Sequence, residues 1–149
     1  MDIEKIVQIA ELAGEAILEV YNKSGDIKIE HKGDDSPLTE ADLAAHNIIV
    51  EELKKIDGTP IVSEEGNEGD PLLSDTCWLV DPLDGTKEFI KRNGMFTVNI
   101  ALMIRKKNRW TPLFGVVHAP VTKTTWLSLI HISEPTRRYA ISYAVFCLK

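Results

Sequence analysis

The stretch WLVDPLDGTKEFI, Trp78 to Ile90, decides the fold. Cys77 to Val80 is an apolar run bounded by turn signals, the pattern of a buried strand. Two aspartates, Asp81 and Asp84, follow it at once, and Gly85-Thr86 follows them. Buried strands seldom end on paired carboxylates unless something needs them. If Gly85 to Ile90 begins a helix, its free N–H groups offer an anion site beside those acids. A strand, a bound-ligand turn and a helix in succession predict a layered α/β (α+β) sandwich whose strand ends line a crevice.

Working outward, Ile6, Ile9, Ala10, Ala13, Ile17 and Val20 recur at spacings of three and four, which predicts an amphipathic helix over Ile3 to Tyr21. Ser24-Gly25 ends it, and Ile27-Lys28-Ile29 alternates like a short strand. His31 to Pro37 reads as a loop. Thr39 is a fair N-cap with Asp42 at the third helical position, opening a helix that runs to about Ile56. Pro60 to Ser63 is a short strand leading into Glu64-Glu65-Gly66, and Glu68 to Asp75 is a polar surface loop. Phe96 to Ile104 alternates as a strand, Arg105 to Asn108 turns, Trp110 to His118 returns as its hairpin partner, and Thr122 to Trp126 is the next strand. No internal repeat and no domain boundary precede residue 127.

At 149 residues the chain suits one domain with a real core, and 44% hydrophobic with 27% charged residues excludes a disordered polymer. Seventeen Lys+Arg against twenty-three Asp+Glu gives −6, the wrong sign for a protein that binds nucleic-acid polymers. Cys77 and Cys147 are too few and too far apart for a disulfide framework, and no secretory pattern opens the chain. Reduced thiols and a cytoplasmic location are therefore expected, with peripheral inner-membrane association left open. No apolar run is long enough to span a bilayer.

Four acids stand at the ends of expected elements: Asp42 in a first helical turn, Glu64 after one strand, Asp81 and Asp84 after another. Singly, each has a duller reading: a helix-terminal acid, a solvated pair with Glu65, a turn. Their occurrence in order, each at an element end, points to one shared site. Gathered carboxylates repel one another unless a cation is bound, and all-oxygen donors suit Mg²⁺ or Mn²⁺. Pro82 stiffens the turn and can aim the Leu83 carbonyl at the same ion. Gly85 lets a phosphate approach the backbone, and the Thr86 hydroxyl can position a water. Such a site suits metal-assisted phosphate ester hydrolysis. His46 and His118 lack ligand spacing and read as helix-face and strand-end residues.

The motifs D-S-P-L-T-E-A-D, V-S-E-E and W-L-V-D-P-L-D-G-T, in that order, resemble the inositol monophosphatase superfamily of Mg²⁺-dependent, lithium-sensitive phosphatases. The extension K-E-F-I-K-R-N-G-M-F-T-V-N-I-A-L is similar to the 3′(2′),5′-bisphosphate nucleotidase branch of sulfur assimilation. The resemblance covers about residues 3 to 126 and implies the N-terminal αβ half of an αβαβα sandwich. It implies two or more Mg²⁺ ions on Glu64, Asp81, the Leu83 carbonyl and Asp84, with Asp42 and Thr86 helping to activate water. Glu64 would thus serve both metal and catalysis. Gly85 and Thr86 would bind the phosphate, with Lys87 beside them. Lys32 and Thr39 fall in the family's metal-site loop and the helix after it; Lys87, Lys91 and Arg92 either extend the site toward a second phosphate or form a solvated basic face. The substrate implied is a small phosphorylated nucleotide, adenosine 3′,5′-bisphosphate. An inositol or sugar monophosphatase is one alternative, and a non-catalytic Mg²⁺- or nucleotide-binding fragment is another.

The chain also departs from the family. No Trp-Asp-x-x-Ala segment follows, although the family uses its aspartate to complete the metal site. After Trp126 the sequence LSLIHISEPTRRYAISYAVFCLK has no clear period and looks like translated adapter read-through. Residues 1–126 are expected to be the N-terminal part of the phosphatase domain, and 127–149 a non-native tail. The chain as written is expected to be inactive or nearly so.

Overall fold

The computed structural model describes residues 2–23, 29–31, 37–107 and 109–129. The first helix forms as its spacing predicts: α1 spans Ile3–Tyr21 and buries Ile6, Ile9, Ala10, Ala13, Gly14, Ile17 and Val20 along one stripe. Two short antiparallel strands, β1 (Ile29–His31) and β2 (Pro37–Thr39), lead into α2, Glu40–Lys54. Ile27, Lys28, Lys32 and most of the expected loop between β1 and β2 lie outside the described residues, as does Cys147.

Both long helices lie on one face of a six-stranded sheet. Its strands are β3 (Ile61–Ser63), β4 (Gly66–Glu68), β5 (Thr76–Asp84), β6 (Thr97–Lys106), β7 (Arg109–Ala119) and β8 (Thr124–Leu129), in the spatial order β4-β3-β5-β6-β7-β8. Only the β3–β5 pair is parallel. The helix-facing side carries the main core, including Trp78, Val80, Val98, Ile100, Phe114 and Val116, and Leu127 of β8 packs against it. Cys77, Ala101 and Met103 cluster with Val62 and Leu79 apart from that core. No helix among the described residues is long and apolar enough to cross a membrane.

Besides β2, a strand where a loop and a helix start were expected, three elements differ from expectation. Gly66–Glu68, just before and at the start of the expected polar loop, forms β4, hairpinned onto β3, and the loop itself holds a 3-10 turn over Pro71–Leu73. The last strand, expected to close at Trp126, pairs with β7 through Leu129; residues 130–149 lie outside the described set. The third difference shapes the site. β5 does not stop at Val80 but continues through Asp84, pairing Asp81 with Asn99 and Asp84 with Thr97 of β6. A step of three on β5 therefore faces a step of two on β6, a bulge. Pro82 lies inside it, where its missing N–H does least harm. The short helix α3, Thr86–Ile90, follows directly.

Gly14 sets how closely α1 approaches the sheet. A Cβ there would stand 2.8 Å from His118 Cδ2 and 3.1 Å from Pro120 Cγ. His118 is buried and paired through Nδ1 with Thr125 Oγ1 at 2.8 Å, so the imidazole has little room to yield. Gly14→Ala gains about 1 kcal/mol of helix propensity. It is nonetheless expected to destabilise the chain by about 1–2 kcal/mol through overpacking, read as a lower urea midpoint.

Candidate active site

The first turn of α2 presents Asp42. Thr39 caps the helix: its side chain accepts from the Ala41 N–H at 3.2 Å, while its own N–H (2.8 Å) and hydroxyl (2.5 Å) donate to Asp42 Oδ2. This capping box holds a carboxylate that is 1% exposed. Its other oxygen, Oδ1, lies 3.1 Å from Thr86 Oγ1 across the fold. The Leu83 carbonyl oxygen stands at the same 3.1 Å from that hydroxyl, so one proton serves two acceptors. Asp42, distant in sequence, thus joins Leu83 and Thr86 in one hydrogen-bonded cluster.

The neighbouring acids are brought together by strand pairing. The Glu64 N–H donates to the Val80 carbonyl at 3.1 Å, which sets the end of β3 beside Asp81. The Asp81 carboxyl is pushed up to about 8, first by burial, then by the charges of Glu64 and Asp84 and by a hydrogen bond with Glu64; a backbone bond from Leu83 opposes the shift. Asp81 Oδ1 is buried with no hydrogen-bond partner. Asp84, more exposed, receives a hydrogen bond on Oδ2 from Asn99 Nδ2 at 3.1 Å.

Among the described residues, no three His, Cys, Asp or Glu side chains stand ready-made around an ion. Asp81 shares a hydrogen bond with Glu64, and Asp84 receives one from Asn99. The donors nonetheless fit a hard divalent cation. Asp81 Oδ1 is an orphaned buried oxygen, two more carboxylates raise its proton affinity, and the neighbouring Leu83 carbonyl adds a neutral oxygen.

Gly85 caps α3 with φ +93°, in the left-handed region, and its backbone lies against the start of β6. α3 has only five residues, so its dipole adds little. Lys87 on α3 and Lys91 just after it are exposed. Arg92 departs from its expected place on a basic surface: it donates to the carbonyls of Tyr21 and Lys23 and lies 5.7 Å from the Tyr21 ring centre. It closes the C-terminal end of α1, because unsatisfied carbonyls there attract a cation. Lys32 lies outside the described residues.

Two residues went unassigned in the sequence. Asn99 and Thr97 connect directly to Asp84, and Thr97 Oγ1 donates to Asn99 Oδ1 at 3.1 Å. The available signal was a lone amide inside the apolar run FTVNIALMI. His46 pairs with Ser63 Oγ at 2.9 Å, and burial lowers its affinity for a proton, as it does for His118.

Comparison with known proteins bears on this geometry. Residues 2–130 match the model of the inositol monophosphatase family. A 3′(2′),5′-bisphosphate nucleotidase CysQ of Salmonella typhimurium is 47% identical over 131 residues, covering 83% of this chain and 50% of the relative. The CysQ of Escherichia coli K12 is 47% identical over 122 residues, covering 80% and 48%. Among solved structures, CysQ from Bacteroides thetaiotaomicron matches at TM-score 0.68 and 44% identity, over 85% of this chain and 45% of that one. The extragenic suppressor protein SuhB of Bartonella henselae matches at TM-score 0.75 and 28% identity, over 86% and 48%. The chain spans about half the length of the curated relatives it matches.

Proposed function

The chain belongs to the inositol monophosphatase family, and on that premise we propose that it carries the metal- and phosphate-binding part of a Mg²⁺-dependent 3′(2′),5′-bisphosphate nucleotidase. The observation that carries this reading is the buried, unpartnered Asp81 Oδ1 among like charges, next to the cluster of Asp42, Leu83 and Thr86. Glu64, Asp81, the Leu83 carbonyl and Asp84 would hold Mg²⁺, or Mn²⁺ in its place, in two or more sites that lithium is expected to inhibit. When bound, the cation supplies charge to the phosphoryl oxygens and acidity to a water.

The chain's own residues have separate tasks. With the Thr86 proton donated to Asp42 Oδ1, the hydroxyl oxygen can accept a hydrogen bond from a water and orient it. Asp42 is the acceptor at the end of that relay. Gly85 leaves room for the phosphate beside the backbone, and Lys87 can draw the anion in. In the overall hydrolysis the water oxygen bonds to phosphorus, the ester P–O bond breaks, and the 3′ oxygen takes up a proton. The products are adenosine 5′-monophosphate and inorganic phosphate.

The choice of a bisphosphate nucleotide is supported by the 47% identity to proteins of that name and by the KEFIKRNG run after the turn. A cytoplasmic place fits a family that handles such metabolites. Turnover is proposed for the whole protein; from these 149 residues alone, release is expected at or near background. The test measures binding and phosphate release with adenosine 3′,5′-bisphosphate and with inositol phosphate, each with and without Mg²⁺. Mg²⁺-dependent binding that favours the bisphosphate is expected. Preference for inositol phosphate would move the assignment to the sugar-phosphatase alternative, and binding indifferent to the cation would remove the metal.

A further inference from the structure

We propose that Asn99 is a positioning residue for the cation centre, setting Asp84 relative to Asp81, with Thr97 anchoring the far end of its amide; this rests on the metal-centre reading above. Asn99 sits on β6 directly opposite Asp81, yet its Nδ2 reaches Asp84 Oδ2 at 3.1 Å. The bulge makes this reach possible, since it brings Asp84 into register with Thr97, two residues from Asn99. Asn99 therefore pairs with Asp81 through its backbone and holds Asp84 through its side chain, which ties the two acids to one residue.

The amide is held at both ends, and Asp84 sets which way it faces. An asparagine side chain has nearly the same shape when its oxygen and nitrogen are exchanged. Here Thr97 Oγ1 donates to Oδ1 at 3.1 Å, and the carboxylate of Asp84 demands a donor on the other side. The exchanged amide would set its oxygen against that carboxylate and lose that bond, while the Thr97 hydroxyl, able to donate or accept, anchors the other end of the amide. Asn99 is 6% exposed, so water cannot readily replace either partner.

The chemistry of the donor matters as well. A lysine or arginine in this place would neutralise Asp84 and compete with a cation. A neutral amide holds Asp84 Oδ2 without cancelling its charge, which leaves Oδ1 to bind. Outer-shell partners of this kind typically contribute about 10–100-fold in metal affinity.

The test titrates Mn²⁺ into the 149-residue chain and follows the loss of the free-ion paramagnetic resonance signal. Asn99→Ala is expected to weaken Mn²⁺ binding about 10–100-fold. Thr97→Val, which keeps the side-chain shape, is expected to weaken it several-fold while the metal-free melting temperature stays unchanged. A buried asparagine with only a structural role would lower the melting temperature and leave the Mn²⁺ affinity of Thr97→Val intact. Equal affinity of the unaltered chain and Thr97→Val therefore overturns the proposal, and that variant alone decides if circular dichroism shows Asn99→Ala unfolded. No Mn²⁺ uptake by the unaltered chain is a different failure: it removes the metal-centre reading, and this inference with it.

Discussion

Asp81→Asn is expected to stabilise the metal-free chain at alkaline pH and to abolish its response to Mg²⁺. In the fold the Asp81 carboxyl is pushed up to about 8, far above the ordinary value of about 3.9. Between those two values the folded chain holds a proton that the unfolded chain has lost. The contribution to stability is thus complete below about pH 4, declines as pH rises, and is gone once pH passes 8. Asparagine has no such dependence, so the two proteins should melt alike near pH 4 and diverge by pH 9, with the variant the more stable. Mg²⁺ reverses the order. It must displace the Asp81 proton at pH 5 but not at pH 9, so the unaltered chain should gain more from the ion at the higher pH. The variant lacks a central oxygen donor, and its Mg²⁺ affinity should fall beyond the about 10–100-fold loss typical of an outer-shell partner. Thermal melts at pH 5, 7 and 9, with and without Mg²⁺, read both effects. Parallel melting curves for the two proteins across that range would show that Asp81 ionises normally.

The second large effect is expected at Gly85. Any side chain there must adopt φ +93°, and a Cβ would come within 2.8 Å of the Met95 carbonyl oxygen and 3.4 Å of Phe96 Cα. Those are backbone atoms leading into β6, and they cannot turn aside as a flexible side chain can. Behind them Phe89 and Phe96 stack edge to face at 5.3 Å, with Tyr21 at 5.0 Å from Phe96 and 5.4 Å from Phe89, so the strand cannot shift without disturbing three rings. Gly85→Ala is expected to cost about 3 kcal/mol from strain and overlap combined. It should also draw Thr86 away from Asp42, so that phosphate binding falls more than global stability alone explains. Urea unfolding paired with a phosphate titration under folded conditions separates the two. A midpoint unchanged from the parent would mean that the turn has more room than its contacts indicate.

How much of this was legible beforehand follows from where each feature is encoded. α1 was readable to the residue, because its six apolar positions repeat with helical period and all are buried. The start of α2 was readable because a capping box is a local pattern, and Thr39 and Asp42 make the bonds that their types predict. The end of β5 was not. Proline and two aspartates are strong turn signals, and only pairing with a distant strand turns them into a bulge. Asn99 escaped for the same reason, since its partner is fifteen residues away and the link exists only through sheet register. Arg92 shows the complementary limit: its sequence displays a charge but not a direction, and the side chain reaches back across 71 residues to Tyr21. The acids themselves were recognisable by their order along the chain. The unpartnered oxygen that singles out Asp81 is a property of packing alone.

The most direct test of the central claim is a phosphorus resonance experiment. Adenosine 3′,5′-bisphosphate is mixed with the chain and substoichiometric Mn²⁺, and the broadening of its two phosphate signals is compared with that produced by Mn²⁺ and nucleotide alone. If Glu64, Asp81 and Asp84 hold the ion beside Gly85 and Thr86, the chain should add broadening chiefly at the 3′-phosphate, and Asp81→Asn should remove the addition. Equal broadening of both phosphates, or the same broadening with Asp81→Asn, would contradict a cation centre built on that carboxylate.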